Sequence, residues 1–254
     1  MSNVSDPATI AECRRGGTLS QLPLHALGNR AAAEEFQAAA VKALGGELSG
    51  HKIGATSEEV QRMLGCREPI HAPIRREDVL ASGAAFRIPP GMLGIECEFG
   101  FQLGDDFPAS AGASDIGALR LAVAECFVAL ELVGRRVPAE VPLTEVSAIA
   151  DFSLNVGVVR GAAIPDWQQR DLTSIPVRAV VDGVQAAAGT AVVVLGHPLN
   201  ALHWLAGALS KRGDRLRRGD IVLTGTCTGI TKVAPGQLFA GCFGDLAPVQ
   251  VLLV

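Results

Sequence analysis

The sequence predicts an α+β protein: a small helical N-terminal part over residues 1–75 on a larger β-rich domain over residues 76–254. Three observations carry this. The first fifty or so residues have the composition and spacing of helices, whereas from Leu93 onward short apolar runs alternate with turn residues. Asp182-Gly183, set between Val177–Val181 and Val184–Ala188, is a two-residue hairpin sequence. The 254 residues are 48% hydrophobic and 19% charged, enough apolar material for a substantial core.

Along the chain, Ala31 to Leu44 is Ala-rich, with Glu34, Glu35 and Lys42 on its polar side, and Gly45-Gly46 stops it. His51 to Gly54 is short and extended. Thr56-Ser57-Glu58-Glu59 reads as a capping box for a brief helix through Met63 and Leu64, ended by Gly65. Pro69, Pro73, Pro89 and Pro90 mark loops and strand edges. Leu93 to Leu103 is a strand ended by Gly104-Asp105-Asp106. Ser114-Asp115 caps a helix running to about Phe127, and Val128 to Val133 is a strand interrupted by one charge, Glu131. Thr144 caps a short helix before Asp151. Val156–Val159, Val177–Val181, Val184–Ala188 and Ala191–Leu195 read as strands. Pro198 opens a helix with Leu202, Leu205, Ala206 and Leu209 as its stripe, and Gly213 ends it. Ile221–Leu223, Leu238–Phe243 and Val249–Val254 are the last strands.

Bulk properties exclude several classes. A net charge of −4, from 22 basic and 26 acidic residues, gives no footprint for nucleic acid or an anionic membrane. The local patch Lys211, Arg212, Arg215, Arg217 and Arg218 reads as a solvated helix end and turn. Six scattered cysteines without a C-x-x-C argue against structural zinc and a disulfide framework, and for reduced thiols in a cytoplasm. The N-terminus lacks a charged-then-apolar leader pattern, and no apolar run reaches membrane-spanning length. The expectation is a cytoplasmic protein with no membrane partner.

The chemistry centres on Leu93-Gly94-Ile95-Glu96-Cys97-Glu98-Phe99. On a strand, Glu96 and Glu98 share one face while Ile95, Cys97 and Phe99 take the other. Alone, such a pair reads as a wet strand face. Glu131 adds weight, because a lone charge in Ala-Leu-Glu-Leu-Val is expensive to bury. Three carboxylates repel one another, and a hard divalent cation, Mg²⁺ or Mn²⁺, would reverse the penalty. Lys52, between glycines in Gly-His-Lys-Ile-Gly, is a candidate for holding a substrate carboxylate or moving a proton. His51 and His71 are further acid/base candidates. Thr224-Gly225-Thr226-Cys227-Thr228-Gly229 offers backbone N–H groups and hydroxyls for an anion, with Cys227 a weak nucleophile candidate.

Taken together, these residues resemble the 2-keto-4-pentenoate hydratase group of the fumarylacetoacetate hydrolase superfamily. The carrying pieces, in order, are Gly50-His51-Lys52-Ile53-Gly54-Ala55-Thr56, Ile95-Glu96-Cys97-Glu98, Leu130-Glu131-Leu132-Val133-Gly134-Arg135-Arg136, Ile149-Ala150-Asp151, Leu195-Gly196-His197-Pro198-Leu199-Asn200 and Gly219-Asp220-Ile221-Val222-Leu223-Thr224-Gly225. The resemblance implies a mixed β-roll core and a homo-oligomer. It also implies a Mg²⁺ or Mn²⁺ site on Glu96, Glu98 and Glu131, and a small 2-oxo acid or dienol substrate that chelates the metal. Lys52 matches a lysine near the substrate, and Thr226 and Cys227 match a substrate-carboxylate loop. Three positions depart from the pattern. Ile70 stands where an acidic residue is common, leaving His71 or Glu68 as substitutes. Phe152 follows Asp151 where Asn-Ala-Ser is frequent, leaving Asn155 or Ser153 to supply the polar contact. Gln237 replaces an Asp.

The activity expected is hydration of a 2-hydroxy-2,4-dienoate to a 4-hydroxy-2-oxo acid, with Lys52 and His71 as catalytic groups and Lys52, Asn155, Thr226 and Cys227 binding substrate. The rivals are decarboxylation of a 2-oxo diacid, for which Arg135, Arg136 and Arg160 could supply a second cationic pocket, and hydrolysis of an acylpyruvate. A non-catalytic small-molecule binding protein of the same fold is a further alternative.

Overall fold

A computed structural model describes residues 6–107 and 115–254. Its helices are α1 (Pro7–Gly16), α2 (Arg30–Leu44), α3 (Glu58–Leu64), α4 (Ile116–Ala122), α5 (Glu145–Ala150) and α6 (Pro198–Ser210). Its strands are β1 (Leu48–Gly54), β2 (Ile70–Arg75), β3 (Val79–Ala81), β4 (Ala84–Phe86), β5 (Met92–Leu103) and β6 (Val123–Gly134). They continue as β7 (Asn155–Ala163), β8 (Val177–Val181), β9 (Val184–Gly189), β10 (Ile221–Thr226), β11 (Leu238–Phe243) and β12 (Val249–Leu253). Two mixed sheets result. The larger has the order β2-β1-β10-β5-β6-β7-β3 and the smaller β4-β12-β11-β8-β9. The larger sheet takes strands from both sides of residue 75, while α1, α2 and α5 form the helical part.

The main core lies between the sheets. Ile95, Cys97, Phe99, Phe101, Leu130 and Leu132 meet Phe239, Phe243, Val249 and Val251, and α6 adds Leu202, Leu205 and Leu209. Phe99 and Phe243 pack edge to face with centroids 5.2 Å apart. Each such side chain contributes about 1.5–3 kcal/mol on burial. A second cluster joins α1, α2 and α5 through Ile10, Ala33, Phe36, Ala40, Ile149 and Phe152.

Three local expectations are corrected. The helix expected to reach about Phe127 stops at Ala122, and β6 begins at Val123. Cross-strand pairing along the twelve-residue β5, with Phe101 opposite Cys126 and Gly100 opposite Phe127, overrides helix propensity there. Asp115 caps α4 by accepting from the N–H groups of Gly117 and Ala118; Ser114 lies outside the described residues. The cap of α3 is Ser57, whose Oγ accepts from Val60 N, while the Thr56 carbonyl accepts from Leu195 N. Ala191–Leu195 is not a strand. Ala191–Val193 forms one 3-10 turn, and positive φ at Leu195 (47°) and Gly196 (80°) reverses the chain into α6.

That reversal also bears on length. Ala191–Ser210 is apolar enough over 20 residues to cross a membrane by composition, contrary to the reading that no run reaches that length. The helix proper is only 13 residues, about 20 Å at 1.5 Å per residue, and its stripe packs into the core.

After α5 comes a rare backbone feature. Phe152, Ser153 and Leu154 have φ of 52°, 48° and 67°, three successive left-handed residues without a glycine. Such conformations cost on the order of 1–3 kcal/mol each and persist only where the surroundings enforce them. Here Arg136 does so. Its Nε donates to Asp151 Oδ1 at 2.5 Å, its Nη1 to the Asn155 carbonyl at 2.7 Å, and its Nη2 to the Gly134 and Asp151 carbonyls. Ser153 Oγ donates to the His71 carbonyl, anchoring the turn to β2. Arg136→Met leaves Asp151, 1% exposed, without its ion pair. The expected loss is about 3–5 kcal/mol, read as a lower urea midpoint at unchanged slope. A midpoint equal to the parent's would show that Arg136 does not hold the turn.

Candidate metal centre

β5 and β6 pair antiparallel with Glu96 directly opposite Glu131 and Glu98 opposite Ala129. Directly opposed like charges destabilise a sheet unless something lies between them. Ligand oxygens of Glu96, Glu98 and Glu131 all lie within 4.8 Å of one another. Glu98 and Glu131 are fully buried and Glu96 partly so.

Each of the two buried carboxylates has one oxygen held and one left over. Glu98 Oε2 accepts from Gly225 N at 2.7 Å. Glu131 Oε1 accepts from Asn155 Nδ2 at 2.9 Å and lies 3.1 Å from Lys52 Nζ. Glu98 Oε1 and Glu131 Oε2 are buried without a hydrogen-bond partner among the described residues. Orphaned carboxylate oxygens this deep are costly, and an all-oxygen set of three suits a hard divalent cation with coordination positions to spare. The residues therefore fit the group. Burial, then the neighbouring Glu131 carboxylate, pushes Glu96 up to about 8, with Lys52 opposing. Burial first, and then Glu131 and Glu96, pushes Glu98 well above the carboxylate range.

Neighbouring strands supply the surroundings. Lys52 on β1 is 3% exposed and stands opposite Leu223 of β10. Its flanking Gly50 has φ 141°, and a Cβ there would meet the Ile221 carbonyl oxygen at 1.8 Å, so only glycine lets β1 lie this close to β10. Gly225, φ 109°, is similarly forced: a Cβ would sit 2.2 Å from Thr56 Oγ1. That close approach is what delivers the Gly225 N–H to Glu98.

Of the other candidates, Asn155 joins the cluster. Its Oδ1 accepts from Arg14 Nη2 at 3.1 Å. Thr226 stands opposite Glu98 in register, and its Oγ1 accepts from the N–H groups of Thr228 and Gly229. Cys227 turns into the core, 3% exposed, and burial raises its thiol well above the ordinary value. His71 is not brought to the carboxylates. It stands opposite Ile53 in register, so it takes the face of β2 away from Lys52, with its ring 5.8 Å from His51 and 6.0 Å from Trp204. Burial pushes it down to about 3 and His51 to about 4. Ser153 is likewise absorbed by the fold, bonded to the His71 carbonyl and Gln37. Arg135 donates to the Val141 carbonyl but keeps a buried Nε without a partner among the described residues, Arg136 is engaged by the turn, and Arg160 pairs with Glu125 and Gln102. Arg136 and Arg160 are thus ion-paired elsewhere and do not form a second cationic pocket. Arg14 was missed, since nothing local to α1 shows a bond to a residue 141 positions away.

A model of the fumarylacetoacetate hydrolase C-terminal family matches residues 58–250, and the chain belongs to that family. It is 33% identical over 199 residues to a 2-keto-4-pentenoate hydratase of Paraburkholderia xenovorans, covering 77% of this chain and 72% of that protein. It is 28% identical over 220 residues to a 2-oxo-hept-4-ene-1,7-dioate hydratase of Escherichia coli, covering 83% and 80%. Among solved structures, 4-oxalocrotonate decarboxylase from Pseudomonas putida G7, complexed with magnesium and adipate, superposes with a TM-score of 0.87 at 20% identity over 100% of this chain and 99% of that one. That likeness shows the shared fold.

The raised carboxyls set a pH dependence. Between its ordinary 4.5 and about 8, Glu96 is ionised in the unfolded chain but still protonated in the folded one, so the apoprotein loses stability as pH rises through that window. A bound cation stabilises by mass action and displaces those protons. Thermal unfolding with and without Mn²⁺ should show a larger cation-induced rise in Tm at pH 8 than at pH 5. No rise at either pH would remove the metal centre.

Proposed function

We propose that this family member is a divalent-metal-dependent hydro-lyase that adds water to a 2-hydroxy-2,4-dienoate to give a 4-hydroxy-2-oxo acid, in aromatic or related catabolism. The observation that carries it is the pair of orphaned oxygens, Glu98 Oε1 and Glu131 Oε2, beside the Lys52 ammonium. Names of the hydratase relatives support the reaction class. Glu96, Glu98 and Glu131 would hold Mg²⁺ or Mn²⁺. When bound, that ion supplies Lewis-acid stabilisation of charge on the substrate's 2-oxygen and carboxylate.

The chain's own groups do the rest. Lys52 Nζ stands at the edge of the carboxylate cluster, where it can hold the substrate or deliver a proton to its terminal carbon as the 2-hydroxyl proton leaves. Water then adds its oxygen at C4 and a proton at C3, so the net change is one water gained. The Thr226 hydroxyl already accepts two N–H groups, which leaves its own proton to donate to a substrate carboxylate. Asn155 orients Glu131. With His71 on the other face, the second proton passes through Lys52 or water. A monoacid is preferred over a 2-oxo diacid because Arg136 and Arg160 already have acidic partners. A cytoplasmic setting, in keeping with six unpaired cysteines, and a homo-oligomeric state belong to the same proposal.

Turnover is followed as loss of dienol absorbance with CO₂ measured in parallel, with Mg²⁺ or Mn²⁺ present. Absorbance should fall without CO₂, and chelation or Glu131→Gln should abolish it. Lys52→Met should lower kcat by about 10²–10⁴-fold, the usual contribution of a positioned acid or base. Release of one CO₂ per dienol consumed would instead establish decarboxylation, and full activity of Glu131→Gln under chelation would reject the scheme.

A further inference from the structure

We propose that Arg14, on the first helix, is a positioning residue for the metal centre: it fixes the Asn155 side-chain amide so that its N–H₂ end always faces Glu131. The inference rests on the reading of Glu96, Glu98 and Glu131 as cation ligands and goes beyond it.

The geometry forms a relay. Arg14 sits in the last turn of α1, its side chain 5% exposed. Its Nη2 donates to Asp78 Oδ2 at 2.8 Å and to Asn155 Oδ1 at 3.1 Å. Asp78 is itself held by two bonds from Arg75, so the guanidinium is braced on its far side. The Phe152 ring lies 4.7 Å from Arg14 Cζ. Asn155, with no exposed surface, then donates from Nδ2 to Glu131 Oε1 at 2.9 Å.

The reason for a cation at this point is the two-ended nature of an amide. Rotated by half a turn, Asn155 would set Oδ1 against Glu131 Oε1, two acceptors face to face, and Nδ2 against the guanidinium, two donors face to face. Arg14 can only donate, so it selects one of the two orientations. In that orientation the Asn155 N–H₂ group engages Oε1 and leaves Glu131 Oε2 as the oxygen without a partner among the described residues. Without Arg14 the buried amide keeps only one of its two anchors, and Glu131 Oε1 keeps Lys52 but loses its fixed amide donor, one of the two contacts that present Oε2. Groups that orient a ligand in this way change metal affinity by about 10–100-fold when removed, and one acting through an intermediary belongs at the lower end.

A purely structural role, docking α1, is the competing account. Arg15 provides the control. It lies in the same turn and donates to the Ala43 and Leu44 carbonyls at the end of α2, away from the carboxylates. The experiment measures Mn²⁺ affinity of the metal-free protein by loss of the free-ion paramagnetic resonance signal, with Tm recorded for each variant. Arg14→Met should weaken Mn²⁺ about tenfold, whereas Arg15→Ala lowers Tm and leaves affinity unchanged. In an Asn155→Ala background, itself weakened, Arg14→Met should add nothing, because the relay is already cut. Arg14→Lys keeps the charge facing Asp78 but ends one bond short. It serves where Arg14→Met does not fold, and should also weaken Mn²⁺. Parent protein that binds Mn²⁺ with Arg14 variants of equal affinity, or with an undiminished Arg14 effect in the Asn155→Ala background, overturns the positioning role alone. Parent protein that binds no Mn²⁺ overturns the metal reading and this inference with it.

Discussion

Glu96 facing Glu131 across an antiparallel ladder is the constraint on which the rest depends. Two carboxylates at that register repel, and a sheet free to slip would avoid the contact. It cannot slip, because the period of a strand is two. A shift of one residue would turn Ile95, Cys97 and Phe99 out of the core and drive Glu96 and Glu98 into it. The apolar face of β5 thus holds its acidic face in place. The energy of the main core and the position of the charges are two consequences of one register.

What surrounds the carboxylates follows from the order of strands. β10 lies beside β5 and contributes the Gly225 N–H, while β1 lies beyond β10 and contributes Lys52. On the other side, β7 lies beside β6 and contributes Asn155. Residues 50 to 225 are therefore gathered around one point without a long loop reaching inward. Positively charged and N–H donors occupy one oxygen on each buried acid, which lowers the cost of burial without satisfying both oxygens. The remaining oxygens stay available, as a site for a cation requires.

The sequence made the acidic cluster legible because a charge in an apolar strand is expensive, and Glu131 has no other explanation in Ala-Leu-Glu-Leu-Val. Lys52 was legible through its glycines, which mark a backbone approach that proves to be β1 against β10. The extent of β6 was hidden because Val123 to Phe127 suits either helix or strand, and only its partner β5 decides. His71 was misplaced for a reason of parity: proximity in sequence to Ile70 says nothing of face until the β1–β2 register is known. Ala191–Leu195 has strand composition but no strand to pair with, and Leu195 and Gly196 take the chain elsewhere. Arg14 and the left-handed turn were illegible because both are defined by contacts far along the chain.

The placement of Asn155 shows how irregular backbone serves a regular sheet. Along β6 and β7, Glu131 faces Val158 and Leu132 faces Gly157. Continued alternation would set Val133 opposite residue 156 and leave Asn155 on the face of Leu132, in the core. The register instead shifts between Leu132 and Val133, so that Asn155 stands opposite Val133. One extra residue in a strand re-aims its neighbour's side chain to the opposite face, and here that brings Asn155 to the side of Glu131. The left-handed run Phe152–Leu154 directly precedes this bulge and delivers the chain into it, with Arg136 bonded to both Asp151 and the Asn155 carbonyl. The strained turn, the buried ion pair and the bulge are then one device, whose product is a single amide hydrogen bond to a metal-ligand candidate. Strain of this size is retained where a side chain must be aimed, and the aim here is Glu131.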